Sequence, residues 1–324
     1  MTTKESILAL LEKNRGARLS GEELAARFGI SRAAVWKAVC ALRQEGHAIE
    51  AATNRGYLLR PESDVLCKET VLPYLKSKVE LILPEEVGST NTLLRELALQ
   101  GAPHGTVALA DKQSAGRGRR GRGFLSPEGG IYLSILLRPK LSAALGVRLT
   151  IAACVGVCRA MKAICGLDGD IKWVNDIFLN GKKVCGILTE GGVGLESGLL
   201  DYAVVGVGLN YRAPAGGFPP ELREIAGSLY GPGEAPPLPR GRMAAALIDS
   251  LMEALADPED EGIMAEYRSR SLVPGKRVLV LREDSQRPAL AEDILSDGSL
   301  LVRYADGVTE ALFSGEVSIL PRPE

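Results

Sequence analysis

The sequence has few of the residues on which metal sites and nucleophilic sites are usually built. It contains two histidines, His47 and His104, and six cysteines with no Cys-x-x-Cys pair. Zinc sites use Cys and His clustered at short spacings, so no zinc site is expected. Neither histidine lies near a nucleophile motif, which argues against a Ser-His-Asp or Cys-His mechanism. Chemistry in this chain should instead depend on positioning and on fixed charge.

Long apolar runs and a leader segment are also missing. No apolar run approaches the ~20 residues that span a bilayer, and the start, Met-Thr-Thr-Lys-Glu, lacks the regions of a signal peptide. These features predict a cytoplasmic protein with no membrane partner. The net charge is −1, but residues 1–62 hold ten Lys/Arg against seven Asp/Glu, while the remainder holds 29 against 33. The mild positive excess draws attention to the N-terminal segment.

The most informative segment is an arginine- and glycine-rich run at residues 116–124. It holds four arginines and four glycines in nine residues. Glycine lets the backbone close on a ligand, and arginine presents a planar, charged fork suited to carboxylate and phosphate. We interpret the run as a loop that is mobile alone and orders over a phosphate-bearing small molecule. A solvated loop and a nucleic-acid patch are the alternatives.

The same run matches the dinucleotide-binding pattern at Gly116, Gly118 and Gly121. That pattern requires a helix that opens at its glycines. Here a Ser-Pro-Glu-Gly-Gly turn follows, and then an alternating apolar strand at residues 131–137. The match is therefore a false positive.

Residues 1–62 read as three short helices followed by a hairpin. Thr2-x-x-Glu5 and Ser20-x-x-Glu23 are capping boxes, and Ser31 can cap a third helix that ends at Gly46. This order resembles the winged helix-turn-helix family. The resemblance implies DNA contacts by Ser31, Arg32, Ala33, Trp36, Lys37, Arg43, Asn54 and Arg55. A protein–protein module is the alternative, and a domain of charge +3 would need a dimer on two half-sites to bind DNA well.

Four further segments carry polar groups beside strands or glycines. They are Ser89-Thr90-Asn91, Lys172-Trp173-Val174-Asn175-Asp176, residues 183–190 and Gly206-Val207-Gly208-Leu209-Asn210. Together with the arginine-rich run, this set resembles the biotin protein ligases, and with the N-terminal module it is similar to the bifunctional type that is also the biotin operon repressor. The similarity spans nearly the whole chain.

The resemblance implies an α+β protein with three domains. These are a winged helix-turn-helix at residues 1–62, a connector at 63–80, a mixed-sheet α/β biotin/lipoate ligase-like catalytic domain at 81–270 and an SH3-like β-barrel at 271–324. Some members of the family carry an arginine where this chain has Leu320, so an ATP contact from the barrel is left open.

The implied reaction has two steps. Biotin and MgATP give biotinyl-5′-AMP and pyrophosphate, and a lysine of a biotin carboxyl carrier protein then attacks the mixed anhydride. Because the first step brings two anions together, cations must offset their repulsion. The implied repressor binds operator DNA as a homodimer promoted by biotinyl-AMP, so ATP, Mg²⁺ and biotin are the small molecules expected.

The resemblance also implies roles for single residues, with Lys183, Arg119 and Lys172 as the catalytic ones. The set implied for biotin is Ser89, Thr90, Asn91, Gln113, Arg117, Gly118, Arg119, Lys183, Gly186, Ile187 and Gly206. Within it, Gly186, Ile187 and Gly206 would face the valerate chain. The set implied for the adenylate is Arg117, Arg119, Arg120, Arg122, Phe124, Lys172, Asn175, Asp176 and Asn210, and no metal ligand is assigned.

Three other functions stay open at this point. A lipoate ligase would use the same fold and the same adenylate chemistry, although that class usually lacks the arginine-rich sequence. A regulator could bind an effector without catalysis, although the pair of Lys172 and Lys183 argues against it. A ligase could also carry a winged helix that does not regulate transcription.

Overall fold

A computed structural model describes residues 2–52, 55–194, 196–282, 285–313 and 315–320. Its strands form three sheets of three, seven and five strands, which follow one another along the chain. The expected α+β class, with a helix-turn-helix, a mixed central sheet and a C-terminal antiparallel sheet, is confirmed.

The N-terminal unit is a bundle of three helices with a small sheet. Its elements are α1 (Thr3–Lys13), β1 (Arg18–Leu19), α2 (Gly21–Phe28), α3 (Arg32–Gln44), β2 (Ile49–Ala52) and β3 (Gly56–Leu59). Both capping boxes form, and the Ser31 side chain accepts from the backbone of Ala34. Strand β1 pairs with β3, a pairing that the sequence did not indicate. The helices close around a core of Ile7, Leu8, Leu11, Leu24, Val35, Val39, Leu42, Ile49 and Leu59.

Polar contacts hold this unit to the connector. Arg15 forms an ion pair with buried Glu12 and also donates to the carbonyl of Ser63 at 2.7 Å. The Tyr74 hydroxyl, beyond the short helix α4 (Lys68–Val71), donates to the Glu12 carboxylate at 2.9 Å. Because Glu12 is enclosed, its charge is met by partners from its own helix and from the connector.

A second cluster of charges joins the connector to the central unit. Arg240 is enclosed and donates through Nε to Asp64 at 3.0 Å, and its guanidinium also pairs with Asp111. Arg212 lies 3.3 Å from the same Asp64 carboxylate. Asp64 thus fixes the connector to the start of α7 (Arg240–Ala254).

The central sheet has the strand order β4-β5-β6-β10-β9-β8-β7, in which β4 and β5 are parallel and the other neighbours antiparallel. Its strands are β4 (Glu80–Ile82), β5 (Thr106–Ala110), β6 (Ile131–Leu137), β7 (Asp170–Lys172), β8 (Asp176–Leu179), β9 (Lys182–Val193) and β10 (Leu200–Leu209). Helix α5 (Thr90–Leu99) covers one face through a small cluster with Ala108, Leu136 and Val204. The opposite face packs on α6 (Gly146–Cys165), and α7 and α8 (Glu261–Ser269) pack in turn on α6.

Helix α6 supplies the centre of the main core. The segment Ala143–Cys165 is long and apolar enough to cross a membrane by length and composition alone, but 72% of its most apolar window is buried inside the fold. Such burial is what the central helix of a packed α/β unit shows.

The last sheet is antiparallel, with the order β14-β13-β12-β11-β15. Its strands are β11 (Arg277–Leu281), β12 (Gln286–Ile294), β13 (Leu300–Tyr304), β14 (Thr309–Leu312) and β15 (Glu316–Ile319). The indole of Trp173, next to β7, donates to the carbonyl of Gly298 at 3.0 Å. An added Cβ at Gly298 would lie 2.5 Å from Ile151, so this turn packs directly on α6.

Candidate active site

One cleft gathers nearly all of the residues that the sequence singled out for small-molecule chemistry. From those sets it is lined by Ser89, Thr90, Asn91, Gln113, Arg117, Gly118, Arg119, Arg120, Arg122, Phe124, Lys172, Asn175, Asp176, Lys183, Gly186, Ile187 and Gly206. The lining comes from β7 through β10, from the start of α5 and from the arginine-rich run. Residues distant in the sequence therefore meet at one place.

The arginine-rich run forms a small hairpin at the mouth of this cleft. The Phe124 amide donates to the Gly116 carbonyl at 2.9 Å, and the Gly118 amide donates to the Arg122 carbonyl at 2.7 Å. An added Cβ at Gly116 would lie 2.3 Å from the Phe124 carbonyl oxygen, so the hairpin requires glycine there. Arg120 has φ 55°, which turns the chain at the tip.

Phe124 lies across the floor of the cleft, which two glycines form. A Cβ at Gly208 would lie 2.5 Å from the Phe124 ring, and one at Gly186 would lie 3.0 Å from it. The Lys183 Nζ is 5.9 Å from the centroid of the same ring, within reach of a cation–π contact. The glycines of the two strands thus make room for an aromatic ring beside an ammonium group.

Lys183 is the ammonium group that lies beside both the Phe124 ring and a carboxylate. Its Nζ lies 2.6 Å from Oδ1 of Asp176, on the neighbouring strand β8, and both side chains are about a quarter exposed (27% and 23%). The hydrogen bond from the Lys183 amide to the Ile225 carbonyl, at 2.8 Å, fixes the start of β9 to the loop after β10. An ion pair in such a half-enclosed place holds the ammonium group in a defined position.

Arg119 reaches into the cleft from the hairpin. Its Nη1 lies 3.3 Å from Oδ1 of Asn175, and the Asn175 amide in turn donates to the Ile187 carbonyl at 2.8 Å. Burial lowers the pKa of the Arg119 guanidinium, and the charge of Asp176 opposes that effect. Lys172, at the end of β7, lies 5.8 Å from the Phe178 ring centroid.

Small polar groups occupy the other end of the cleft. The Thr90 amide donates to Oε1 of Gln113 at 2.8 Å, and the Gln113 Nε2 donates to Ser126 at 2.9 Å. Ser134, wholly buried on β6, lies 2.7 Å from the Thr90 hydroxyl and 2.6 Å from Oδ1 of Asn91. The hydrogen-bond donors and acceptors at this end of the cleft are therefore held in place by the fold, as the recognition of a polar group on a ligand requires.

Gly206 lines the cleft and also packs closely against a side chain of α5. A Cβ at this position would lie 2.0 Å from Oδ1 of Asn91. Asn91 is buried, and its Nδ2 donates to Glu190 at 2.9 Å. Gly206 therefore makes room for Asn91, which lies against the floor of the cleft.

Asn210 is the one residue of the predicted biotin and adenylate sets that is absent from the lining. It is buried, and its amide donates to the Gly227 carbonyl at 2.9 Å. Sequence reasoning, conversely, missed Ser134, Glu190 and Glu316. The Glu316 carboxylate, on β15, accepts hydrogen bonds from the Arg122 guanidinium of the hairpin at 2.8 Å. All three lie within strands, and although Glu190 ends the segment 183–190, its role depends on contacts with other elements that the local sequence does not show.

The predicted DNA-contacting residues that the structure describes are all exposed. Ser31, Arg32, Ala33, Trp36 and Lys37 lie on or beside α3, and the Trp36 side chain is 62% exposed. Arg43, near the end of α3, is exposed as well, although its Nε donates to the Ile49 carbonyl at 2.6 Å. Arg55 is exposed beside the hairpin turn, whereas Asn54 lies outside the described residues.

Comparisons with known proteins agree with this geometry. Residues 83–210 match the model of the Biotin/lipoate A/B protein ligase family, and residues 3–58 match an HTH domain. The chain is 38% identical to the bifunctional ligase/repressor BirA of Bacillus subtilis, over 70% of this chain and 71% of that protein. It is 30% identical to BirA of Escherichia coli over 98% of this chain and 97% of that protein.

A solved structure gives the same result. The biotin protein ligase of Aquifex aeolicus, in complex with biotin and ATP, aligns with a TM-score of 0.62 at 28% identity, covering 75% of this chain and 99% of that one. The chain therefore belongs to the family of biotin protein ligases that carry an N-terminal helix-turn-helix, the bifunctional ligase/repressors.

Proposed function

We propose that this protein is an ATP-dependent biotin protein ligase that also represses transcription at operator DNA. The observation that carries the proposal is the balance of charge in the cleft. Six cationic side chains line it (Arg117, Arg119, Arg120, Arg122, Lys172 and Lys183) against two carboxylates, Asp176 and Glu316. A site of this kind suits a reaction that brings a carboxylate to a polyphosphate.

In the first step, an oxygen of the biotin carboxylate attacks the α-phosphorus of ATP. The bond from that phosphorus to the bridging oxygen breaks, and pyrophosphate leaves with the electron pair. Lys183 would hold the carboxylate and the α-phosphate together, and Arg119 would offset the charge that develops on the phosphate oxygens. Asn175 holds Arg119 in position and Asp176 holds Lys183, so the two cations need little rearrangement during the step.

In the second step, the neutral amine of an acceptor lysine attacks the acyl carbon of biotinyl-5′-AMP. An amide bond forms, and AMP leaves with the electron pair of the acyl–oxygen bond. The acceptor proposed is a biotin carboxyl carrier protein. A mixed anhydride is already activated, so holding the amine in place supplies much of the acceleration.

Mg²⁺ is proposed as the companion of ATP. Among the residues that the structure describes, no group of three or more His, Cys, Asp or Glu is placed to hold a metal ion. Mg²⁺ commonly binds through substrate phosphates and one or two carboxylates, and Asp176 is the carboxylate beside the catalytic ammonium group. The residues therefore fit an ion carried by the nucleotide, whose chemical contribution is to neutralise phosphate charge.

Turnover tests the enzymatic proposal directly. Purified protein is incubated with ATP and Mg²⁺ plus biotin, lipoate or neither, and pyrophosphate release is measured. Release with biotin alone supports the proposal, whereas release with lipoate alone identifies a lipoate ligase. No release with either acid would leave a ligand-binding regulator. Labelled biotin in a cell lysate then identifies the acceptor by the protein that becomes labelled.

The repressor role is proposed to depend on a homodimer that biotinyl-AMP promotes. The adenylate would order residues 117–124 and so reduce the entropy lost when two subunits pair. Hydrogen exchange of this segment should slow on adenylate binding, and a gel shift with operator DNA should require biotin and ATP. Unchanged exchange would refute the ordering mechanism, and a missing shift would leave a ligase whose winged helix does not regulate.

The same proposal assigns residues 1–62 to the DNA-binding domain, 63–80 to the connector, 81–270 to catalysis and 271–324 to the C-terminal barrel. A cytoplasmic location fits the six cysteines, all of which are free thiols.

A further inference from the structure

Glu190 does not line the cleft itself, but its carboxylate receives three donors, and two of them belong to the lining residues Asn91 and Arg117. On β9, its carboxylate lies 2.9 Å from the Asn91 amide nitrogen, 3.3 Å from Arg95 and 3.2 Å from Arg117. The side chain is only 19% exposed. A half-enclosed carboxylate with three donors is fixed in position, and it fixes its partners in turn.

The three partners come from two different elements. Asn91 and Arg95 belong to α5, whose first turn carries the polar end of the cleft. Arg117 belongs to the hairpin and is the first of its four arginines. Glu190 therefore joins the arginine-rich hairpin to a helix that is packed on the central sheet.

The hairpin has a second anchor at its other end. Both nitrogens of the Arg122 fork lie 2.8 Å from the oxygens of Glu316, on the C-terminal sheet. Arg119 and Arg120, which lie between the two anchors, make no salt bridge among the described residues. The hairpin is thus held at both ends while its middle cations face the cleft.

The charge at the first anchor leaves Arg117 able to attract a substrate anion without leaving Glu190. One carboxylate faces two guanidinium groups, Arg95 and Arg117, so it neutralises neither of them fully. The anchored Arg117 therefore keeps part of its positive charge for an anion in the cleft.

We propose that Glu190 is a positioning residue of the ligase, which holds Arg117 and the first half of the hairpin in the conformation that biotin meets. The inference rests on the proposed function for its substrate, but the anchoring itself does not. Without the anchor, the hairpin would sample more conformations, and substrate binding would have to order it.

The test compares two changes at the Glu190 carboxylate, one that removes its charge and one that removes its ion-pair partner on α5. Glu190→Gln removes the charge but retains an acceptor for Asn91, whereas Arg95→Gln removes the α5 partner and leaves the Glu190–Arg117 pair intact. For Glu190→Gln we expect the KM for biotin to rise about fivefold, because a factor of this size corresponds to the free energy that a partly exposed ion pair contributes. The kcat for pyrophosphate release should stay close to wild type. Arg95→Gln should change neither constant.

Hydrogen exchange of the ligand-free proteins supplies a readout that does not depend on turnover. In Glu190→Gln, the amides of Gly118 and Phe124 should exchange faster than in the wild type, and in Arg95→Gln they should not. Equal exchange and equal KM in all three proteins would overturn the inference, and so would a rise in KM that Arg95→Gln shares. If the wild type releases no pyrophosphate with biotin, the proposed function fails, and exchange alone decides the anchoring.

Discussion

Lys183 and Asp176 lie on neighbouring antiparallel strands with the ammonium nitrogen 2.6 Å from a carboxylate oxygen. The pair orients the cation toward the cleft and leaves the Phe124 ring on its other side. A charge held in this way is available to the reacting anions before they arrive, which is the condition for electrostatic catalysis.

Replacing Lys183 by alanine should therefore slow adenylation at least about tenfold, because one preset cation is lost at the reacting phosphate. Single-turnover release of pyrophosphate is the measurement. Lys182→Ala is the matched control, since its ammonium group donates to the Arg223 carbonyl on the outside of the loop and does not line the cleft. Unimpaired turnover in Lys183→Ala would remove this residue from the proposed site.

A methyl group at Gly208 should move the Phe124 ring. The added Cβ would lie 2.5 Å from a ring carbon, so the ring must leave the floor of the cleft. We expect weaker biotin binding in Gly208→Ala, measured by calorimetry, and a smaller loss when the same change is made in a Phe124→Leu background. Gly216→Ala, where an added Cβ meets nothing within 4 Å, is the control. Equal losses in both backgrounds would contradict this account.

Trp36 should contribute to DNA binding out of proportion to its position on an otherwise polar surface. Its side chain is 62% exposed on α3, beside Arg32 and Lys37. Burial of an indole at an interface is commonly worth about 1–2 kcal/mol, so Trp36→Ala should weaken operator binding about tenfold or more. Fluorescence anisotropy with labelled operator measures this, with Leu99→Ala as the control at an exposed apolar residue outside the winged helix. Equal affinities would exclude Trp36 from the interface.

The N-terminal unit should lose stability in mild acid. Burial lowers the pKa of His47 to about 4 from an ordinary value of 6.5, and its Nδ1 has no hydrogen-bond partner. Between these two values the unfolded chain binds the proton and the folded chain does not, so stability is complete above pH 6.5 and is lost as the pH falls toward 4. At pH 5 the loss is about 2 kcal/mol.

Urea unfolding at pH 7 and pH 5 in a Trp173→Phe background, in which Trp36 is the remaining tryptophan, measures this effect by fluorescence. His47→Gln carries no titrating ring, so its free energy of unfolding should change less between the two pH values. If wild type and variant respond alike, other groups control the acid sensitivity of the unit.

Local signals predicted much of the fold. The capping boxes at Thr2 and Ser20 placed α1 and α2, because a side chain that satisfies free helix amides acts within one turn. The alternation in residues 131–137 likewise predicted β6. By contrast, β8 was missed: the break after Lys172 and the return at Asp176 depend on pairing with β9 rather than on local preference.

The site divides in the same way. Arginines and glycines in one short run indicate an anion-binding loop, so the segment could be singled out from the sequence, although its hairpin form could not. Glu190 could not, because its contact with Asn91 spans 99 residues and exists only once β9 and α5 are packed. The sequence also could not show why glycine is needed at position 206, because the neighbour that a Cβ would meet is a side chain from another element.

The Asp64 carboxylate has a practical consequence for dividing the protein. Arg240 lies within the ligase unit, yet its enclosed guanidinium draws its counter-charge partly from a residue just past the wing. A shortened enzyme that starts after Asp64 would leave this enclosed guanidinium with Asp111 but without Asp64, whereas one that starts a few residues earlier keeps both carboxylates. The first residue of a shortened enzyme should therefore be chosen to retain the Asp64 carboxylate, and not simply by the end of the last strand of the wing.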